Sequence, residues 1–252
     1  MKYYREFAQK MILTFGDVEI IVGNRHTAAR IVAEYEEKGL LKKIKKNLYA
    51  VASLENGGMI PNENQIGSAL KPDAFISHHS AFVFFGYYNQ VYSTVDVSSP
   101  IRFEDFVFEG KEYRHHYSSW LEQVEPVGNS IRVTTMERTI VDSIKDMKKT
   151  MELDELIRCV EMVPWIKENG LMIALTAYDN HLLWKKVGFL LQKCKLKSEL
   201  TDSFFEACRR NGGNSLGYFT SDDKKSQQYD KEWGLYVPPI KNDQEVHPEV
   251  LV

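Results

Sequence analysis

The stretch GNRHTAARIVAEYEEKGLLKKIKKNLYAV, residues 23–51, constrains the fold more than any other part of the chain. Asn24 stands where a helix needs an N-cap, because its short side chain can accept a backbone N–H that the first turn leaves unpaired. Ala28, Ile31, Val32 and Tyr35 recur at i, i+3, i+4 and i+7, so they share one face and require a partner surface. The helix is predicted to run to about Lys38, with Gly39 as its stop. Leu40–Lys45 and Leu48–Val51 predict two short strands joined at Lys46-Asn47, since asparagine tolerates positive φ. Upstream, Tyr4, Phe7, Ala8, Met11 and Ile12 predict one helix, broken at Thr14-Phe15-Gly16. Asp17 is expected to cap a second helix that Gly23 ends. Three helices followed by a hairpin spell a winged helix-turn-helix.

The charges are distributed to match. The whole chain carries a net −3, but residues 1–52 hold 10 Lys/Arg against 6 Asp/Glu, a net of +4. The remainder holds 32 − 10 = 22 against 35 − 6 = 29, a net of −7. A basic head on an acidic body points to a polyanion at one end only. On the capped helix, Arg25, His26 and Arg30 lie opposite the apolar face, with Ala29 and Ala33 small enough to let the backbone approach base edges. Glu34, Glu36 and Glu37 come late, where such a helix leaves the groove. Lys42, Lys43, Lys45 and Lys46 stud the hairpin, which suits phosphates and gives affinity rather than sequence choice. The expected DNA-binding residues are Asn24, Arg25, His26, Thr27, Arg30, Lys42, Lys43, Lys45, Lys46 and Asn47.

Beyond the head, residues 53–64 (SLENGGMIPNEN) are rich in Gly, Asn and Pro and mark a boundary. The expected division is a winged helix over 1–54, a linker over 55–64, an α+β domain over 65–241 and a tail over 242–252. In that second domain the pattern predicts helices near Gln65–Lys71 and His79–Gly86. Strands are predicted at Ala74–Ser77, Val91–Val97, Phe103–Phe108, Lys111–Tyr117 and Ser130–Val133. Thr134 or Thr135 is expected to cap a helix to about Met147. Helices then follow near Glu152–Met162, Gly170–Ala177, Asn180–Cys194 and Ser198–Arg210, with a strand or two in Ser215–Pro239. The fold class is therefore α+β: a winged helix, then a larger mixed domain of strands followed by helices.

Other chemistries find less support in the residues. No apolar run approaches the roughly 18 residues of a membrane span, and the charged start MKYYREFAQKM predicts a cytoplasmic protein. Cys159, Cys194 and Cys208 form no CxxC and are expected as reduced, buried thiols. His78-His79 and His115-His116 invite a metal, but adjacent residues diverge on a strand or a helix, so neither pair chelates by itself. No metal and no cofactor are expected. The order Asp96…Glu109-Gly110-Lys111 fits a Mg²⁺-dependent nuclease of the D…ExK kind, and equally a hairpin with glycine at its tip. The aromatic run Phe82, Phe84, Phe85, Tyr87 and Tyr88 is read as packing against the sheet rather than base stacking. Glu137, Arg138 and Asp142 are read as a well-started helix with an i, i+4 ion pair. Asn211-Gly212-Gly213-Asn214 follows a helix and reads as its stop, not as a phosphate loop.

The head, together with PDAFISHHSAFVFFGYYNQ at 72–90 and VTTMERTIVDSIKDM at 133–147, resembles the AbiEi family of transcriptional-regulator antitoxins. The likeness runs over most of residues 1–150 in the family's order, while the second half matches only in helical content. The resemblance implies a non-enzymatic repressor of its own operon, binding inverted repeats in double-stranded DNA as a homodimer or a cooperative pair. It also implies a nucleotidyltransferase-like toxin encoded nearby, countered without a stable complex. Two alternatives stand beside it: the nuclease at Asp96, Glu109 and Lys111, and a protein-interaction module that captures the toxin.

Overall fold

The computed structural model describes residues 2–128, 130–220 and 226–240, so the tail expected at 242–252 lies outside the described residues. The chain opens with α1 (Tyr4–Lys10), β1 (Ile12–Thr14), α2 (Phe15–Val22), α3 (Arg25–Glu37), β2 (Leu41–Lys45) and β3 (Leu48–Val51). This is a winged helix: three helices against an antiparallel sheet of order β1-β3-β2. Two local details differ from expectation. Helix α1 ends at Met11, whose φ of 63° turns the chain, and Ile12–Thr14 pairs as a strand with Leu48–Ala50 instead of extending the helix. The cap of α2 is Thr14 rather than Asp17. Asp17 at N3 accepts the Thr14 backbone N–H at 2.8 Å while the Thr14 hydroxyl accepts that of Asp17 at 3.1 Å, a reciprocal capping box.

The predicted apolar face of α3 does what its spacing requires. Ala28, Ile31, Val32 and Tyr35 are buried with Phe7, Leu13, Val18, Leu41, Tyr49 and Val51 in one cluster. Each large aliphatic buried there contributes about 1.5–3 kcal/mol. Helices this short are marginal alone, so the shared core holds them in place. Asn24 caps α3 by accepting the Thr27 N–H at 3.0 Å. Asn47, at φ 62°, makes the hairpin turn.

The rest of the chain continues as α4 (Glu63–Ala69), β4 (Phe75–Ile76), α5 (His78–Phe85), β5 (Thr94–Ser99), β6 (Phe106–Phe108), β7 (Lys111–Tyr117), β8 (Val124–Val127) and β9 (Ile131–Thr134). The six strands form a mixed sheet of order β6-β7-β5-β4-β9-β8, parallel between β5 and β7 and between β4 and β9. Then come α6 (Met136–Lys145), α7 (Met147–Thr150), α8 (Leu153–Met162), α9 (Glu168–Tyr178), α10 (His181–Lys193) and α11 (Asp202–Gly212). A small sheet of β10 (Gly217–Tyr218), β11 (Gln228–Asp230) and β12 (Leu235–Val237) follows. The architecture is α+β, strands then helices.

The chain falls into two compact units, Met1–Ile76 with Tyr92–Val133, and Ser77–Val91 with Thr134–Val252. The first holds the winged helix and the six-stranded sheet; the segment expected as a linker runs within it, tied by the Ser53 N–H to the Gly58 carbonyl and the Ile60 N–H to Val51. The second is mainly helical. There α5 packs on α6, and the aromatic run is split between buried Phe82 and half-buried Phe84 and Phe85. The three cysteines are free and buried in this unit, and burial pushes the Cys194 and Cys208 thiols up to about 12.

Candidate nucleic-acid interface

The expected groove face of α3 is open to solvent. Arg25, His26, Ala29, Arg30 and Ala33 are all exposed, on the side of the helix away from Ala28, Ile31, Val32 and Tyr35. Asn24 and Thr27 are committed partly to the cap itself. The Arg25 guanidinium lies 5.5 Å from the Phe15 ring and 3.4 Å from Glu19, a loose, exposed pair that leaves most of its donors turned outward. Acidic Glu34 is engaged by Lys38 at 2.6 Å, one turn beyond Arg30. The helix therefore offers donors and small side chains early, and of its three late acids Glu34 is neutralised.

The hairpin lysines divide into two kinds. Lys43 and Lys46 are exposed, as is Asn47 between the strands. Lys42 is paired with Glu109 at 3.0 Å. Lys45 donates to the Glu104 carbonyl at 2.8 Å, and its ammonium lies 4.0 Å from the Phe106 ring centre and 4.5 Å from that of Phe103. Burial, and after it the charge of Lys71, pushes the Lys45 ammonium below its ordinary value. A register irregularity between Lys43 and Lys45 in β2 breaks the strand's alternation at Ile44, whose side chain is buried. Lys45 is thus spent on the protein, while Lys43 and Lys46 are not.

Arg25, Lys45, Lys46 and Asn47 also line one cleft of about 1100 Å³ in the first unit. Its other wall brings in Lys71 and Arg132, which no sequence signal marks: each is an isolated cation in a stretch of mixed composition.

The remaining candidate residues lie in ordinary structural roles. Asp96 is buried and bonded to His116 Nε2 at 2.7 Å. Glu109-Gly110 forms the β6–β7 turn, with φ of 49° and 75°. Asp96 stands opposite Arg114, three positions along β7 from Lys111 and so about 10 Å at strand rise, and Glu109 lies in the turn beyond Lys111. Ligands of one Mg²⁺ must fall within about 4 Å of each other; the structure does not bring these two together. His115 and His116 take opposite sides of β7, one against Phe103 and the Ser99 carbonyl, the other toward Asp96. His78 turns to Asp146 and His79 to Glu155, each at 3.5 Å.

His79, Glu155 and Cys159 do converge, with ligand-type atoms within 4.8 Å of one another. Hydrogen bonding explains them: Glu155 accepts the Gln90 and Asn89 backbone N–H groups at 2.9 and 3.1 Å and the Cys159 thiol at 3.5 Å. Burial and the Glu155 charge push that thiol far up.

A winged helix with an open third helix, a mixed sheet and a following helical unit defines the class of architecture. A solved structure of the same kind is the RV2827C protein from Mycobacterium tuberculosis, with a TM-score of 0.67 over 93% of this chain and 89% of that one. The sequences are 12% identical, so the likeness is one of fold. No family model matches the chain, and no curated protein matches it by sequence. Among the described residues no helix is long and apolar enough to cross a membrane.

Proposed function

We propose that this protein is a sequence-specific DNA-binding repressor, the autoregulating antitoxin of an AbiE-like type IV toxin–antitoxin system, and not an enzyme. The observation that carries the reading is the exposed face of α3, with His26, Ala29, Arg30 and Ala33 open beside the unspent wing cations Lys43 and Lys46. A helix presented this way can enter a major groove with its first turns while the wing lies on phosphates. Arg25, His26 and Arg30 probe base edges; Lys43 and Lys46 carry most of the wing's hold on the DNA backbone. The resemblance of residues 72–90 and 133–147 to AbiEi antitoxins supplies the rest: inverted repeats upstream of its own operon, two copies on one site, and a nucleotidyltransferase-like toxin opposed without a stable complex.

The division among the lysines yields a test. Removing one cation that neutralises a phosphate flattens the dependence of log affinity on log salt by about 0.9. Lys46→Ala is expected to flatten the slope by that amount on every duplex sequence. Lys45→Ala is expected to change it by less than half as much, because its ammonium already serves Glu104 and two rings. Fluorescence anisotropy across roughly 50–200 mM salt reads both. Equal slopes for wild type and Lys46→Ala would remove the wing from the interface.

A further inference from the structure

The cleft beside the wing continues the expected DNA face rather than merely adjoining it. Arg25 and Lys46 belong to both, and the same cleft is lined by Lys45, residues 68–72 and Arg132. The cleft gathers Arg25, Lys45, Lys46, Lys71 and Arg132 against two carboxylates, Glu19 and Glu104. Most of these charges are occupied. Arg25 leans on Glu19, and Lys45 on the Glu104 carbonyl. Arg132 donates to the Ser68 carbonyl at 3.0 Å and to the Lys71 carbonyl at 3.3 Å, and faces Asp73 at 3.9 Å. Lys71 differs from them: its backbone is held by Arg132 and by the Ala74 N–H at 3.1 Å, and Pro72 follows it. Its side chain therefore springs from a fixed base, which lowers the ordering cost of engaging a ligand.

We infer that one strand of the duplex backbone runs along this cleft and that Lys71 supplies a phosphate contact beyond the winged helix. The inference rests on the DNA-binding reading above. Charge selects the occupant: five cations against two carboxylates line a cleft that shares Arg25 and Lys46 with the expected groove-reading face, which favours a polyanion already engaged by that face. Lys71 already raises the cost of keeping Lys45 charged, and a phosphate held by Lys71 relieves that repulsion.

The test uses the full chain and a labelled duplex of random sequence, about three helical turns long, since backbone binding needs no operator. Lys71→Ala is expected to weaken binding about 3- to 10-fold at low salt and to flatten the log–log salt slope by about 0.9, with Lys71→Arg close to wild type. Unchanged thermal melting by circular dichroism shows that the variant is folded. An unchanged slope in Lys71→Ala, with Lys46→Ala flattened, overturns the cleft path and leaves the winged-helix reading standing. No change in either variant, nor in Lys43→Ala, overturns the DNA-binding reading itself. Tripolyphosphate is the control anion. If Lys71→Ala abolishes its binding but leaves duplex affinity intact, the cleft is a small-anion site and the inference fails.

Discussion

Arg138→Leu is expected to destabilise the helical unit by about 3–5 kcal/mol, the largest stability loss that a single buried substitution here should give. Arg138 on α6 is fully buried, and its Nε lies 3.3 Å from Asp142 Oδ2, a carboxylate itself almost wholly buried. Tyr178 donates its hydroxyl to the other oxygen of Asp142, and burial together with that carboxylate pushes the phenol far above its ordinary range. Taking away the guanidinium leaves an anion in the interior with one neutral donor, and desolvation then works against the folded state without compensation. The double change Arg138→Leu with Asp142→Leu removes both charges. It is expected to be less damaging than Arg138→Leu alone, which an additive pair could not be. Urea unfolding followed by circular dichroism measures each variant. If Arg138→Leu is as stable as wild type, the pair does not hold this unit together.

Arg30→Ala is expected to abolish base preference at one position of each half-site while leaving affinity for unrelated duplex nearly unchanged. An arginine bidentate to a guanine edge discriminates by about 1–3 kcal/mol, some 5- to 150-fold in affinity. Arg30 is the cation best placed for this: exposed, one turn into α3, and flanked by Ala29 and Ala33, which keep the helix slim. Lys46→Ala should instead weaken all sequences alike, since a phosphate carries no base identity. Competition binding with single-base variants of a selected site separates the two. Equal losses for Arg30→Ala on every sequence would make Arg30 one more phosphate-binding cation.

The winged helix was legible because its signals are local. Asn24, Gly39 and Asn47 punctuate it, and the spacing of Ala28, Ile31, Val32 and Tyr35 fixes which side of α3 faces in. What escaped was set by tertiary pairing. Strand β1 is three residues long and follows a helix without a Gly or Asn break; only pairing with β3 makes Ile12–Thr14 extended. Strand β8 contains Pro126, which a central strand would not tolerate, and it lies at the edge of its sheet where the missing N–H does no harm. Asp17 was the more conspicuous cap, but capping boxes are reciprocal and Thr14 holds the cap position. The candidate interface was legible as charge and illegible as partnership. Lys45 and Lys46 are neighbours of the same type, yet one is folded against Phe103 and Phe106 and the other is open. Lys71 and Arg132 reach the same cleft from far along the chain, through the fold of the first unit alone.

The most direct measurement is selection of duplexes from a random pool by the purified full-length chain, followed by sequencing. The expected result is enrichment of one motif with two-fold symmetry, its half-sites about one helical turn apart or a multiple of it, as two copies of a winged helix require. A pool that emerges without any enriched sequence would contradict groove reading by α3, and with it the repressor assignment.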